Sequence, residues 1–175
     1  GAPSFLWVNK KHQNRVWSPL AGWYGHQNQF SMSKDYEPAQ GMTRFLTGTP
    51  NIISMAIMEC GIDISLSADL HKVRKKSIQL SNLFMKLIVE KCPTLVLVTP
   101  LDFESRGSQL SYRHKNAYKF SQKLRDRGVF GDFRAPDIIR FSFSALYNRF
   151  VDVWDAVGVI CAVIDDNLSD DDFEI

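Results

Sequence analysis

Three places in this sequence carry residues suited to holding a ligand. The first is the run Gly22-Trp23-Tyr24-Gly25-His26. Two aromatic rings offer flat faces for stacking, the imidazole offers a nitrogen that titrates near neutrality, and the flanking glycines let the backbone turn sharply and other groups approach closely. The same composition suits an ordinary turn whose aromatics plug the edge of a core, and both readings stand at this point. The second is Thr49, just before Pro50 and an apolar run. A threonine cap with proline at the first helical position would leave free N–H groups and the positive end of the helix dipole facing the preceding loop, where an anion is favoured. A simple N-cap explains the same two residues. The third is Arg140, in Ile138-Ile139-Arg140-Phe141-Ser142-Phe143. A guanidinium that interrupts an apolar strand needs a carboxylate or phosphate, because its desolvation is otherwise costly, and its planar fork suits a bidentate carboxylate clamp. Strand alternation that turns it to solvent is the competing reading.

No familiar catalytic set accompanies these residues. His12, His26, His71 and His114 lack metal-ligand spacing, and there is no Gly-x-Ser-x-Gly elbow, phosphate-cradling Walker loop or dinucleotide fingerprint. The charge balance of 21 basic against 19 acidic residues sets up no field for nucleic acid or membrane, so neither is an expected partner. Cys60, Cys92 and Cys161 are odd in number and far apart in apolar contexts, which fits neither a disulfide framework nor a zinc site and suits a reducing cytoplasm. No apolar run reaches membrane-spanning length.

The elements that must position these groups follow from periodicity. Residues 4–8 form a continuous apolar run, the pattern of a strand buried on both faces. Lys10, Lys11, His12 and Arg15 make the connector that follows basic and solvated. Residues 20–46 lack periodicity and are rich in glycine, aromatics and amides, a length of loop that compact domains keep mainly where something binds. Ile52, Ile53, Ala56, Ile57 and Cys60 then recur at helical spacing. A longer helix is expected from about Asp69 to Cys92, capped by Ser67, with Leu70, Val73, Leu80, Phe84 and Leu87 inward. Its cluster His71, Lys72, Arg74, Lys75 and Lys76 reads as a solvated face. Beyond Pro93 the pattern predicts strands at residues 94–98, 108–112, 129–133 and 138–143. A helix at residues 116–127 should stop at Gly128, and a closing helix should carry Phe150, Val153, Trp154, Val157, Ile160, Cys161 and Ile164 inward. Residues 165–175 are acidic and read as a frayed terminus.

In order along the chain, Leu20-Ala21-Gly22-Trp23-Tyr24-Gly25-His26, Tyr36-Glu37-Pro38, Arg44-Phe45-Leu46-Thr47-Gly48-Thr49-Pro50, Arg74-Lys75-Lys76-Ser77, Arg106-Gly107, Arg127-Gly128-Val129, Ile139-Arg140-Phe141 and Leu146-Tyr147 closely resemble kynureninase, in its C-terminal portion. The resemblance implies an α/β chain of fold type I, the aspartate-aminotransferase fold. It comprises the end of the large pyridoxal-phosphate domain (residues 1–67), a small αβ domain with a mostly antiparallel sheet (68–168) and an acidic tail (169–175). It implies a cytoplasmic homodimer that uses pyridoxal 5'-phosphate to hydrolyse L-kynurenine to anthranilate and L-alanine in tryptophan catabolism. Residue by residue, Trp23 and Thr49 would contact the cofactor phosphate in the neighbouring subunit's site. Tyr24 and His26 would line the pocket for the substrate's aromatic ring, and Arg140 would bind its α-carboxylate. Thr49 stands where animal members carry Asn, which resembles the bacterial branch and favours kynurenine over its 3-hydroxy form.

In one respect the chain departs from the family. The family's Lys-Tyr pair, whose lysine forms the Schiff base, precedes the Gly-Ala with which this sequence starts, and no lysine here has a matching context. The chain alone is therefore expected to be inactive and to need the missing N-terminal portion of the same enzyme. Two other readings stay open: a non-catalytic αβ interaction domain derived from such an enzyme, and a change of chemistry to a cysteine desulfurase or aminotransferase. The apolar settings of the three cysteines speak against the desulfurase.

Overall fold

The computed structural model describes residues 4–166, so the acidic tail expected at 169–175 lies outside the described residues. The chain falls into two compact units, Gly1–Ser67 and Ala68–Ile175.

The first unit is mostly loop. Its opening apolar run is not a strand: residues 4–9 have no regular structure, and Phe5, Leu6 and Trp7 are exposed. A strand exists only by pairing its N–H and C=O groups with a neighbouring strand, and no described strand lies beside these, so apolar composition alone was misleading. The short helix α1 (Lys10–Gln13) follows, its first turn capped by the Asn9 side chain, which accepts from the Lys11 N–H at 3.1 Å. The long loop contains two 3-10 turns, Trp23–Gly25 and Gly41–Phe45. Helix α2 (Ile52–Ser67) starts later than the Thr49-Pro50 pattern suggested. Asn51 is its cap, accepting from the Ser54 N–H at 3.0 Å, because a carboxamide is at least as good an N-cap as a threonine hydroxyl and stands two residues nearer the apolar run. No residue of α2 is buried; Ile52, Ile53, Ile57 and Leu66 all face outward.

The second unit holds the core. Helix α3 (Leu70–Lys91) is capped by Asp69, whose carboxylate accepts from the His71 and Lys72 N–H groups, and not by Ser67 as expected. The carboxylate wins because it is adjacent to the first turn and its charge complements the dipole. Leu80, Phe84 and Leu87 point inward as predicted, joined by Ile88, whereas Leu70 is exposed. Arg74 and Lys76, from the supposedly solvated cluster, tie down loops: Arg74 donates to the Phe103 and Arg106 carbonyls, and Lys76 to the Ala145 carbonyl at 2.9 Å.

Four strands follow, β1 (Val96–Leu97), β2 (Gln109–Arg113), β3 (Asp132–Arg134) and β4 (Ile138–Ser142). They form one sheet in the order β1-β2-β4-β3, every neighbour antiparallel. The predicted sheet is present, but its first strand is a two-residue edge with Val96 and Val98 half exposed, not a buried strand. Helix α4 (Ala117–Asp126) buries Ala117, Phe120 and Leu124, and the chain leaves it through Gly128, whose φ of +82° is costly for any residue with a Cβ. Helix α5 (Phe150–Asp165) buries Val153, Val157, Ile160 and Val163, while Phe150 and Trp154 stay half exposed against expectation. The Lys91 ammonium lies 4.2 Å over the Trp154 ring, which gives that outward indole a partner.

Alternation divides the sheet. Leu110, Tyr112, Ile139 and Phe141 face α3, α4 and α5, with Phe84 against Tyr112, Phe141 and Phe143 at the centre. Gln109, Ser111, Ile138, Arg140 and Ser142 take the opposite face.

Candidate functional site

In the first unit the Gly22–His26 run is a fixed turn. The Tyr24 N–H donates to the Thr47 carbonyl at 3.1 Å, the Ala39 N–H to Gly25 O at 2.8 Å, and the Gln27 N–H to Glu37 O at 2.7 Å. The two glycines are needed for close approach. A Cβ at Gly22 would stand 2.2 Å from Thr47 O, and one at Gly25 would stand 2.4 Å from Leu46 O. The backbone of residues 46–47 thus lies directly on the turn, and Thr49 is two residues further along. Trp23 packs edge-on to Tyr24 at 4.9 Å and beside Phe30 at 6.0 Å, with about half its surface exposed.

His26 is held at both nitrogens. Its Nδ1 accepts from the Asn28 N–H at 2.8 Å, so Nε2 carries the hydrogen and donates to the Asp35 carbonyl at 3.2 Å. The Tyr36 ring closes one side of the imidazole at 5.5 Å. His26 also lines two open clefts of about 770 and 270 Å³, one with Gln40 and Thr43, the other with Trp23 and Tyr36. Trp23 and His26 therefore border open surface clefts, whereas Tyr24 lines neither of them. The structure brings Trp23, Tyr24 and His26 together and leaves Thr49 exposed in the same unit.

Two buried polar groups beside this turn escaped the sequence reading. The Arg44 guanidinium donates from Nη1 to Gln13 O at 2.8 Å and touches Asn14 Oδ1 at 3.4 Å, pinning the second 3-10 turn to α1. Its Nε and the Tyr36 hydroxyl are buried without a partner among the described residues. Only the loop's tertiary path brings residues 13 and 44 together, so no local pattern could announce them.

In the second unit Arg140 sits on β4 with its side chain about a quarter exposed, on the face away from the helices. Alternation does turn it outward, yet it grips a carboxylate. Nε donates to Asp132 Oδ2 at 2.8 Å and Nη2 donates to the same oxygen. Asp132 stands directly opposite Arg140 in the β3–β4 pairing, and Arg134 Nη2 reaches the same Oδ2 at 3.2 Å. The Arg140 hydrogen bond, helped by the nearby Arg134 charge, holds the Asp132 carboxyl below the usual carboxylate range. Asp132 was the missed member, although a turn at residues 134–137 sets 138 opposite 134 and hence 140 opposite 132.

The cysteines are placed unlike a catalytic thiol. Cys60 lies in α2, and the Cys92 and Cys161 sulfurs stand 2.8 Å apart between the end of α3 and α5. Burial, and then the Cys161 hydrogen bond, push the Cys92 thiol up to about 12, so it is protonated and unreactive at neutral pH. No helix of the described residues is long and apolar enough to cross a membrane.

The fold is shared with solved structures of low sequence similarity. The apo cysteine desulfurase of Thermococcus onnurineus NA1 matches 91% of this chain and 42% of its own with a TM-score of 0.75 at 17% identity. A C-DES mutant solved with glycine covalently linked to its PLP cofactor matches 89% of this chain and 40% of its own with a TM-score of 0.71 at 14% identity. The fold class is thus that of the PLP-dependent aminotransferase-like enzymes, as the resemblance implied. The family model for the kynureninase C-terminal domain matches residues 73–160, and the chain belongs to the kynureninase family. The kynureninase of Burkholderia mallei is 46% identical over 167 residues, 94% of this chain and 40% of that relative. The chain therefore spans about two fifths of the length of the curated relatives it matches.

Proposed function

We propose that the full-length protein carrying this sequence hydrolyses L-kynurenine to anthranilate and L-alanine, as a pyridoxal-phosphate-dependent homodimer in the cytoplasm. The observation that supports this most is at Arg140. The residue that the family likeness assigns to the substrate α-carboxylate grips a carboxylate, that of Asp132, from a strand that also carries Ile138, Ile139 and Phe141.

The donor chemistry fits the cofactor. Trp23 and Thr49 are exposed and their side chains make no hydrogen bond among the described residues, so the indole N–H and the threonine hydroxyl are both available to acceptor oxygens such as those of a phosphate. In this reading they hold the cofactor phosphate, reaching into the neighbouring subunit's site. Bound pyridoxal phosphate supplies an electron sink for the bond-breaking step. The chain's own residues bind and orient. Tyr24 and His26 form walls for the substrate's ring. With both nitrogens engaged, His26 orients that ring and is a poor candidate for carrying a proton. Arg140 fixes the amino-acid end so that the scissile bond is held in one orientation. The Schiff-base lysine belongs, in this proposal, to the portion of the relatives that this chain does not span, and the segment alone is inactive. The placement of Cys60 in a helix and of Cys92 and Cys161 against each other, with no flexible loop around any, favours this chemistry over that of a desulfurase.

Purified full-length protein, supplied with pyridoxal phosphate, tests the proposal by anthranilate release from kynurenine. Cofactor uptake without cleavage would refute the substrate, and no uptake would refute the cofactor.

A further inference from the structure

We infer that Asp132 is the positioning residue for the substrate-binding arginine, presenting one chosen edge of the Arg140 guanidinium to a ligand carboxylate; this rests on the kynurenine reading above. A guanidinium has two edges that can take a carboxylate, the side edge of Nε with one Nη and the end edge of the two Nη atoms. Asp132 occupies the side edge: Nε and Nη2 both donate to its Oδ2. Nη1 makes no hydrogen bond or ion pair among the described residues, so the end edge is the one left for a ligand.

The clamp is itself built in. Asp132 and Arg140 are opposed in the β3–β4 ladder, so the backbone sets their separation. Arg134, next on the same face of β3, also reaches Asp132 Oδ2, at 3.2 Å. The Arg140 hydrogen bond and the Arg134 charge hold the Asp132 carboxyl below the usual carboxylate range, so the clamp is an anion at neutral pH. Without it, Arg140 would keep its charge but could rotate about its terminal torsions, and a ligand would have to fix that freedom on binding. The anion at Asp132 also offsets the cationic field of Arg134 and Arg140, so the site takes one carboxylate in a single pose and does not collect anions generally.

The test is steady-state kinetics of the full-length enzyme with Asp132→Ala and Asp132→Asn. Alongside these go the absorbance of bound pyridoxal phosphate and inhibition by the decarboxylated amine of kynurenine, which lacks the group Arg140 would hold. Loss of positioning predicts that Asp132→Ala raises the KM for kynurenine about tenfold with kcat within about twofold. Asp132→Asn, which keeps an acceptor oxygen but not the charge, should fall between it and the wild type. The amine's inhibition constant and the cofactor spectrum should not move. An unchanged KM, a lowered KM, or a KM that rises together with the amine's inhibition constant would each overturn the role. If the wild-type enzyme does not cleave kynurenine at all, the functional reading fails first and this inference with it, an outcome distinct from an active wild type with an indifferent Asp132.

Discussion

Trp23 and Thr49, the residues proposed to hold the cofactor phosphate, have exposed side chains that make no hydrogen bond among the described residues, although the Trp23 ring packs against Tyr24 and Phe30. In the full-length enzyme, Thr49→Ala should weaken cofactor retention by ~0.5–1.5 kcal/mol, the worth of one hydrogen bond, and by more if the acceptor is charged. Equilibrium dialysis of pyridoxal phosphate against Thr49→Ala and Trp23→Phe is the check, and unchanged affinity in both would remove the assignment. His114 gives a second residue-scale outcome. It is buried against the Phe120 ring at 4.9 Å, with its Nδ1 accepting from the Asn116 N–H at 3.2 Å, and burial lowers its pKa from 6.5. The neighbouring Lys115 charge acts in the same direction. Because the folded pKa lies below the unfolded one, the unfolded chain binds the proton more readily. The stability contribution is full above 6.5 and is lost as pH falls through the lowered folded value. The urea midpoint should therefore drop between about pH 7.5 and about pH 5.5, and His114→Gln should flatten that drop. An equal slope in both proteins would contradict it.

At the scale of elements, the turn at Gly22–His26 works because the backbone of residues 46–47 can lie on it. Gly22→Ala would force a Cβ to 2.2 Å from Thr47 O, backbone that cannot swing away like a side chain. It should displace the segment leading to Thr49 and cost cofactor retention more than Thr49→Ala does, again measured by dialysis; equal retention to wild type would show that the contact is slack. Much of the second unit was legible because amphipathic periodicity reports a core face directly: Leu80, Phe84 and Leu87 in α3, and Ala117, Phe120 and Leu124 in α4. What was not legible depended on partners. Residues 4–8 have strand composition and no described strand beside them. Caps were misplaced from Asn51 to Thr49 and from Asp69 to Ser67 because several capping residues cluster before each helix, and only the chain path selects one. The site residues were legible as chemistry before they were legible as geometry. Arg140 had to find a carboxylate, and the one it finds, Asp132, follows from hairpin register and not from composition.

At the scale of the molecule, the two units differ in what they bury. The second has a continuous core spanning α3, α4, α5, β2 and β4. Among the described residues of the first, only Gly25, Ala39 and Arg44 are buried, and α2 presents Ile52, Ile53, Ile57, Ile64 and Leu66 outward. Exposed apolar surface on that scale marks an interaction face. Everything assigned here then converges on one function of the complete enzyme, and Arg140 is where it can be decided. The measurement is anthranilate release from L-kynurenine by full-length wild type and Arg140→Lys, beside the absorbance of bound pyridoxal phosphate. A lysine supplies charge without the planar fork, so the variant should retain cofactor and lose ~2–5 kcal/mol in kcat/KM. Near-normal kcat/KM in the lysine variant with cofactor intact, or no kynurenine cleavage by the wild type, would contradict the account.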